Sequence, residues 1–189
     1  MMSTTVVGID PSLTNTGVAI LSHPKNVTGP NVPILATVKT EKRGARYLDR
    51  SNRISQQIEQ IWASMPEFVR LVVIEDLPVV NPMPGAASAY QDRAALIIAL
   101  GAKIQRAGLP LVAVNLSTLK LFAAGNGHAK KPEMIAAMKS LWPHADIGKD
   151  DNRADALALA TLGAMHLGWH EPELPHHYAP RVDWTGVSK

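Results

Sequence analysis

The chain contains no cysteine, which removes both a disulfide framework and thiolate metal chemistry. It also lacks a long apolar run. The longest, around residues 94–102, is about half of the roughly 20 residues needed to cross a bilayer, so no membrane partner is expected. The N-terminus has no basic region followed by an apolar block, so no secretory leader is expected. Internal repeats are absent. The seven histidines show no zinc-like spacing, and His176-His177 read as solvated residues. Together these absences favour a cytoplasmic protein. Strong charge is lacking too: a net +3 supports nucleic-acid binding only weakly.

What is present is enough for one domain with a real core. The 189 residues are 46% hydrophobic and 19% charged, ordinary for a soluble globular protein. A short apolar run over 4–9 ends at Asp10 and predicts a buried central strand. Asn15-Thr16-Gly17 supplies turn chemistry before a second strand over 18–21, and 34–38 predicts a third. Tyr47, Ile54, Ile58 and Ile61 recur at helical spacing between Arg46 and about Ala63. A fourth strand covers 71–75. A Pro/Gly loop then leads to an Ala-rich helix over roughly 86–107, with Gly108 as its C-terminal cap. A fifth strand covers 111–114, and Ser117 is expected to cap a short helix ending before Gly125. Pro132 starts another helix, and Asp150 or Asp151 opens the last, which runs to about Leu167. This pattern predicts an α/β fold: a five-stranded mixed β-sheet flanked by helices on both faces. Residues 1–169 form the domain, and the Pro/His-rich 170–189 form a tail, disordered or laid across the surface.

Four acids carry the chemistry. Asp10 and Glu75 each end a buried strand, in TTVVGIDPSLTNTG and VRLVVIEDLP. Asp151 and Asp155, in KDDNRADALALA, are four residues apart, about 40° around a helix axis, and share a face. Ala154 and Ala158 flank Asp155 and would let the helix approach the first strand. Taken singly, each acid has an ordinary explanation as a turn, cap or strand end. Together they form a repulsive cluster that divalent cations would neutralise. All-carboxylate donors select Mg²⁺, with Mn²⁺ able to substitute, over zinc. Two such ions about 4 Å apart suit phosphodiester hydrolysis. Arg43, Arg46, Arg50 and Arg53 line one side of a helix, and Lys120, Lys130 and Lys131 form a second basic group. Beside a carboxylate centre, both groups are candidates for binding DNA phosphates.

GIDPSLTNTG, VVIEDLP, LSTLKLFAAGNGHAKKPEM and ADALALA, in this order over residues 5 to about 165, resemble the motifs of RuvC-type Holliday junction resolvases of the RNase H-like superfamily. The resemblance implies an RNase H-like fold and a homodimer that cuts two strands of a four-way junction. It implies that Asp10, Glu75 and Asp155 are metal ligands, and that Lys120 and Lys131 act at the scissile phosphate. Two departures stand out. The family's acid three residues before the last Asp is replaced by Asn152, and Asp151 is the fourth expected ligand because Asp150 points about 140° from Asp155. The family's aromatic wedge after the second acid is replaced by Leu77-Pro78, which widens the expected substrates to forks, flaps and other branched DNA. Such divergence is common in bacteriophages and points to a phage origin.

Three readings compete with this one. A non-catalytic branched-DNA-binding module would not need the carboxylates. An RNase H-like enzyme on RNA–DNA hybrids would use the same centre. An ATP-handling domain of the actin and sugar-kinase type shares the Gly-Ile-Asp opening but needs a second domain, for which 189 residues leave no room.

Overall fold

The computed structural model describes residues 4–41, 44–77, 87–177 and 181–188. The sheet has five strands: β1 (Thr5–Asp10), β2 (Asn15–Ser22), β3 (Ile34–Lys39), β4 (Val69–Glu75) and β5 (Leu111–Val114). Their order is β3-β2-β1-β4-β5. β1, β2 and β3 pair antiparallel, β1 and β2 through a short turn and β2 and β3 through a longer loop, while β4 and β5 run parallel to β1 after helical crossovers. The mixed sheet expected from the sequence is therefore the one that forms, with β1 at its centre.

The alternation of side chains along β1 and β4 divides the core in two. Val7, Ile9, Val72 and Ile74 face α1 (Tyr47–Ser64) and α2 (Ala87–Arg106). Val6, Leu71 and Val73 face α3 (Leu116–Ala124), α4 (Lys131–Leu141) and α5 (Asp151–His166). Asp10 and Glu75 continue the second series, so strand period alone aims both carboxylates at the α5 face. Ile9 pairs with Ile74, which sets the next residues, Asp10 and Glu75, side by side at the strand ends.

α5 lies unusually close to the sheet. A Cβ on Gly8 would meet the Ala156 carbonyl oxygen at 2.1 Å, and one on Gly17 would meet the Asn152 carbonyl oxygen at 2.0 Å. The sequence reading assigned this approach to Ala154 and Ala158; the residues that permit it are the two glycines of the strand hairpin. α5 is also buried nearly all round from Ala154 to Ala164, Asp155 excepted, as befits a helix covered by the sheet on one side and by α3 and α4 on the other.

Several boundaries differ from expectation. α1 begins at Tyr47 with Arg46 as its N-cap, so Arg46 stands at the entrance of the helix and Arg43 lies outside the described residues. Asn115, not Ser117, caps α3: its side chain accepts the Thr118 N–H, and Ser117 instead donates to Asn115 Oδ1. A side-chain oxygen at N-cap can accept from the free N–H two or three residues on, a place that Ser117, already the second residue of the helix, does not hold.

The described part of the C-terminal segment is packed onto the domain. Trp184 stacks on His166 with ring centroids 3.9 Å apart, His170 stacks on Trp142 at 4.8 Å, and His177 packs against Phe122 at 5.1 Å. Val187 and His177 are buried, and Arg70 Nη2 donates to the Ser188 carbonyl. The histidines read as solvated are thus partly ring partners in a strap across α3, α4 and α5. Among the described residues, no helix is long and apolar enough to cross a membrane.

Candidate active site

Asp10 and Glu75 are almost fully buried, at 6% and 3% exposure. Their carboxyl groups lie close enough to act on each other directly. Burial is the largest cause of an Asp10 pKa well above the carboxylate range. The charges of Glu75 and Asp155 add to it, and Arg93 opposes it. Asp155 is pushed up to about 7, first by burial, then by Glu75 and Asp151, with Lys120 and Lys131 opposing. Its Oδ1 is buried and accepts no hydrogen bond. Acids contributed by three separate elements therefore feel one another inside a shielded space.

Asp151 stands at the outer edge of this group, its Oδ2 2.5 Å from Lys131 Nζ. That hydrogen bond raises the Lys131 pKa, and the charges of Asp155 and Asp10 add to the effect. Asp150 is used elsewhere. It caps α5 through the Asn152 N–H at 3.0 Å and accepts from Thr37 Oγ1 of β3 at 2.9 Å. The half-turn offset read from the sequence is thus realised by a capping role for the neighbouring acid.

Sequence reasoning missed Arg93. From α2 it places Nη2 2.8 Å from Glu75 Oε1, and Nε 3.3 Å from the carbonyl of Pro11, the residue after Asp10. Arg93 follows Gln91 and Asp92 ahead of the apolar part of α2, and nothing in the spacing links α2 to the end of β4.

The basic residues are distributed unevenly. Lys120 projects from α3 close enough to act on Asp155. It lines a groove of about 530 Å³ with Asp76, Leu77, Asn115, Ser117 and Gly127. Leu77 is thus part of the groove wall, and Pro78 is outside the described residues. Lys130 is exposed at the start of α4. The α1 arginines have partners of their own. Arg46 pairs with Asp49, Arg50 pairs with Asp92 of α2, and Arg53 Nη2 donates to the Leu13 carbonyl. Of these three, Arg46 is the freest, with a side chain 87% exposed.

The donor set suits hard divalent cations. Among the described residues no three acidic or imidazole side chains are already drawn into a closed cage; Asp151 is bonded to Lys131. The Asp155 oxygen without a hydrogen bond, beside two other buried acids, is a donor that a divalent cation could use. All-oxygen donors fit Mg²⁺ or Mn²⁺.

A family model described as "Crossover junction endodeoxyribonuclease RuvC" matches residues 6–162. The chain belongs to the RuvC family. RuvC of Saccharopolyspora erythraea is 28% identical over 169 residues, covering 88% of this chain and 78% of that protein. RuvC of Corynebacterium diphtheriae is 27% identical over 177 residues, covering 93% of this chain and all of that one. Among solved structures, Thermus thermophilus RuvC in complex with a Holliday junction substrate aligns with a TM-score of 0.55 at 23% identity, over 82% of this chain and 90% of that one. The yeast mitochondrial Holliday junction resolvase aligns with the same TM-score at 12% identity, over 82% of this chain and 75% of that one. At such identities these structural likenesses speak for the fold, which is RNase H-like. The RuvC model ends four residues before the last residue of α5, so the C-terminal strap lies beyond the matched region.

Proposed function

We propose that this RuvC-family chain is a Mg²⁺-dependent endonuclease that resolves Holliday junctions and related branched DNA, working as a homodimer. The observation that carries the reading is the buried, unpartnered Oδ1 of Asp155 beside the Asp10–Glu75 pair. Uncompensated carboxylates in a shielded space destabilise a fold, and a protein keeps them where a cation is to be held.

Asp10, Glu75 and Asp155 are the ligands in this reading, and Asp151 joins them by exchanging its contact with Lys131. Two divalent ions held by these acids would activate the attacking water and stabilise charge at the phosphodiester. Lys131 and Lys120 bring positive charge to the phosphate, and the groove beside Lys120 admits the strand next to the cut. Lys130 and Arg46 are exposed and suited to flanking phosphates. Arg50 and Arg53 contribute by holding α1 against α2 and the Leu13 turn, with DNA contact requiring those bonds to be exchanged. Arg43 belongs to the same expected basic group.

With Leu77 in place of an aromatic wedge, selectivity for the crossover rests on shape and charge, which extends the substrate range to forks and flaps. The test is parallel cleavage of a four-way junction, a flap and an RNA–DNA hybrid in Mg²⁺. Cutting of the junction or flap but not the hybrid supports the reading. Hybrid cleavage alone would move the enzyme to RNase H-like activity, and no cleavage with retained junction binding would make it a non-catalytic binding module.

A further inference from the structure

The guanidinium of Arg93 bridges the ends of the two central strands, bonding Glu75 on β4 and the Pro11 carbonyl that follows Asp10 on β1. Its neighbour on α2, Asp92, is held by both Nε and Nη2 of Arg50 on α1. Adjacent residues thus fasten α2 to α1 on one side and to the acidic centre on the other. One of the two oxygens of a nearly buried Glu75 is engaged by a charge-assisted bond.

We propose that Arg93 determines which cation the centre accepts. By occupying Oε1 it restricts Glu75 to one-oxygen ligation and so favours small octahedral cations, Mg²⁺ and Mn²⁺, over Ca²⁺. The physical basis is the difference in coordination. Ca²⁺ takes six to eight oxygens and gains from bidentate carboxylates, whereas Mg²⁺ demands near-octahedral geometry with single-oxygen contacts. A carboxylate with both oxygens free can meet either demand. One with an oxygen locked by arginine can meet only the second. Arg93 is then a positioning residue that acts through Glu75, and the inference rests on Glu75 being a ligand as proposed above.

Calorimetric titration of the full chain with Mg²⁺, Mn²⁺ and Ca²⁺ tests this in the wild type, R93Q and R93K, with circular dichroism to verify folding. Losing a charge-assisted bond is worth about a tenfold change in a binding constant, or more. In R93Q the affinity for Ca²⁺ relative to Mg²⁺ is expected to rise by about that factor. R93K retains a cation beside Oε1 and is expected to keep the ratio close to wild type. An unchanged ratio in R93Q, or a parallel change for all three ions, would overturn the inference while leaving the metal site intact. No cation binding by the wild type would overturn the metal-site reading and this inference with it. If R93Q does not fold, crystals of the wild type grown with Mg²⁺ decide: the Arg93–Glu75 contact must persist, and its loss overturns the proposal.

Discussion

Gly8 of β1 lies so close to α5 that an added Cβ would stand 2.1 Å from the Ala156 carbonyl oxygen. The obstacle is backbone on both sides, so neither element can yield by turning a side chain. Gly8→Ala should therefore push α5 away and, with it, Asp155 from Asp10. Overpacking a core costs about 1–3 kcal/mol, and a backbone clash belongs at the top of that range or above. Urea denaturation should show such a loss, with cleavage falling further than stability alone explains. A variant as stable and active as wild type would show that α5 does not depend on this approach.

The raised Asp155 pKa predicts a pH dependence of definite sign. Its folded value, about 7, lies above the ordinary Asp value of 3.8. Between these two limits the folded state holds a proton that the unfolded state has released, so the Asp155 contribution to stability falls as pH rises, by about 1.4 kcal/mol per unit at most. Asp10 is shifted in the same direction. Without divalent cations, D155N should gain stability relative to wild type on going from pH 5 to pH 7.5. Added Mg²⁺ should narrow that gap at pH 7.5, and denaturant midpoints at the two pH values measure both effects. A gap independent of pH would mean that Asp155 is not strained by burial.

The strap histidines titrate with the opposite sense. Burial is the first cause of the lowered pKa values of His170 and His177. Their contribution is complete above the unfolded value near 6.5 and is lost as pH falls through the lower folded values. Acidification should loosen residues 170–188 first, and the stacks of Trp142 and Trp184 on His170 and His166 give the signal. Hydrogen exchange at pH 5 and pH 7 should show the strap losing protection before the sheet does. Uniform loss across the chain would contradict this.

Lys131 should matter for DNA more than for folding. Its side chain is 77% exposed and its bond to Asp151 is at the surface of the site, where an ion pair adds about 1 kcal/mol or less. K131M should leave the denaturation midpoint nearly unchanged, weaken junction binding and reduce the slope of log affinity against log salt by about 1. Full affinity with the wild-type slope would remove Lys131 from the DNA interface.

The acids were legible in the sequence because strand period and helix period are local rules. Asp10 and Glu75 fall two residues beyond Gly8 and Val73 on the same strand faces, and Asp155 falls one turn beyond Asp151. What the sequence did not disclose were contacts between distant segments. Arg93 reaches Glu75 only because α1 and α2 pack on the opposite sheet face and bring the start of α2 to the end of β4. The α1 arginines show the same limit: spacing placed Arg50 and Arg53 on one helix, but Asp92 and Leu13, which engage them, come from elsewhere. The tail stayed open between disorder and a course across the surface because its packing is carried by single Trp, His and Val residues among prolines, with no period to detect.

Anomalous diffraction from crystals containing Mn²⁺ tests the central claim most directly. The expected map has Mn²⁺ peaks enclosed by Asp10, Glu75 and Asp155, with Asp151 turned from Lys131 toward the nearer ion. Peaks confined to other parts of the surface, with none near Asp10, Glu75 and Asp155, would contradict it.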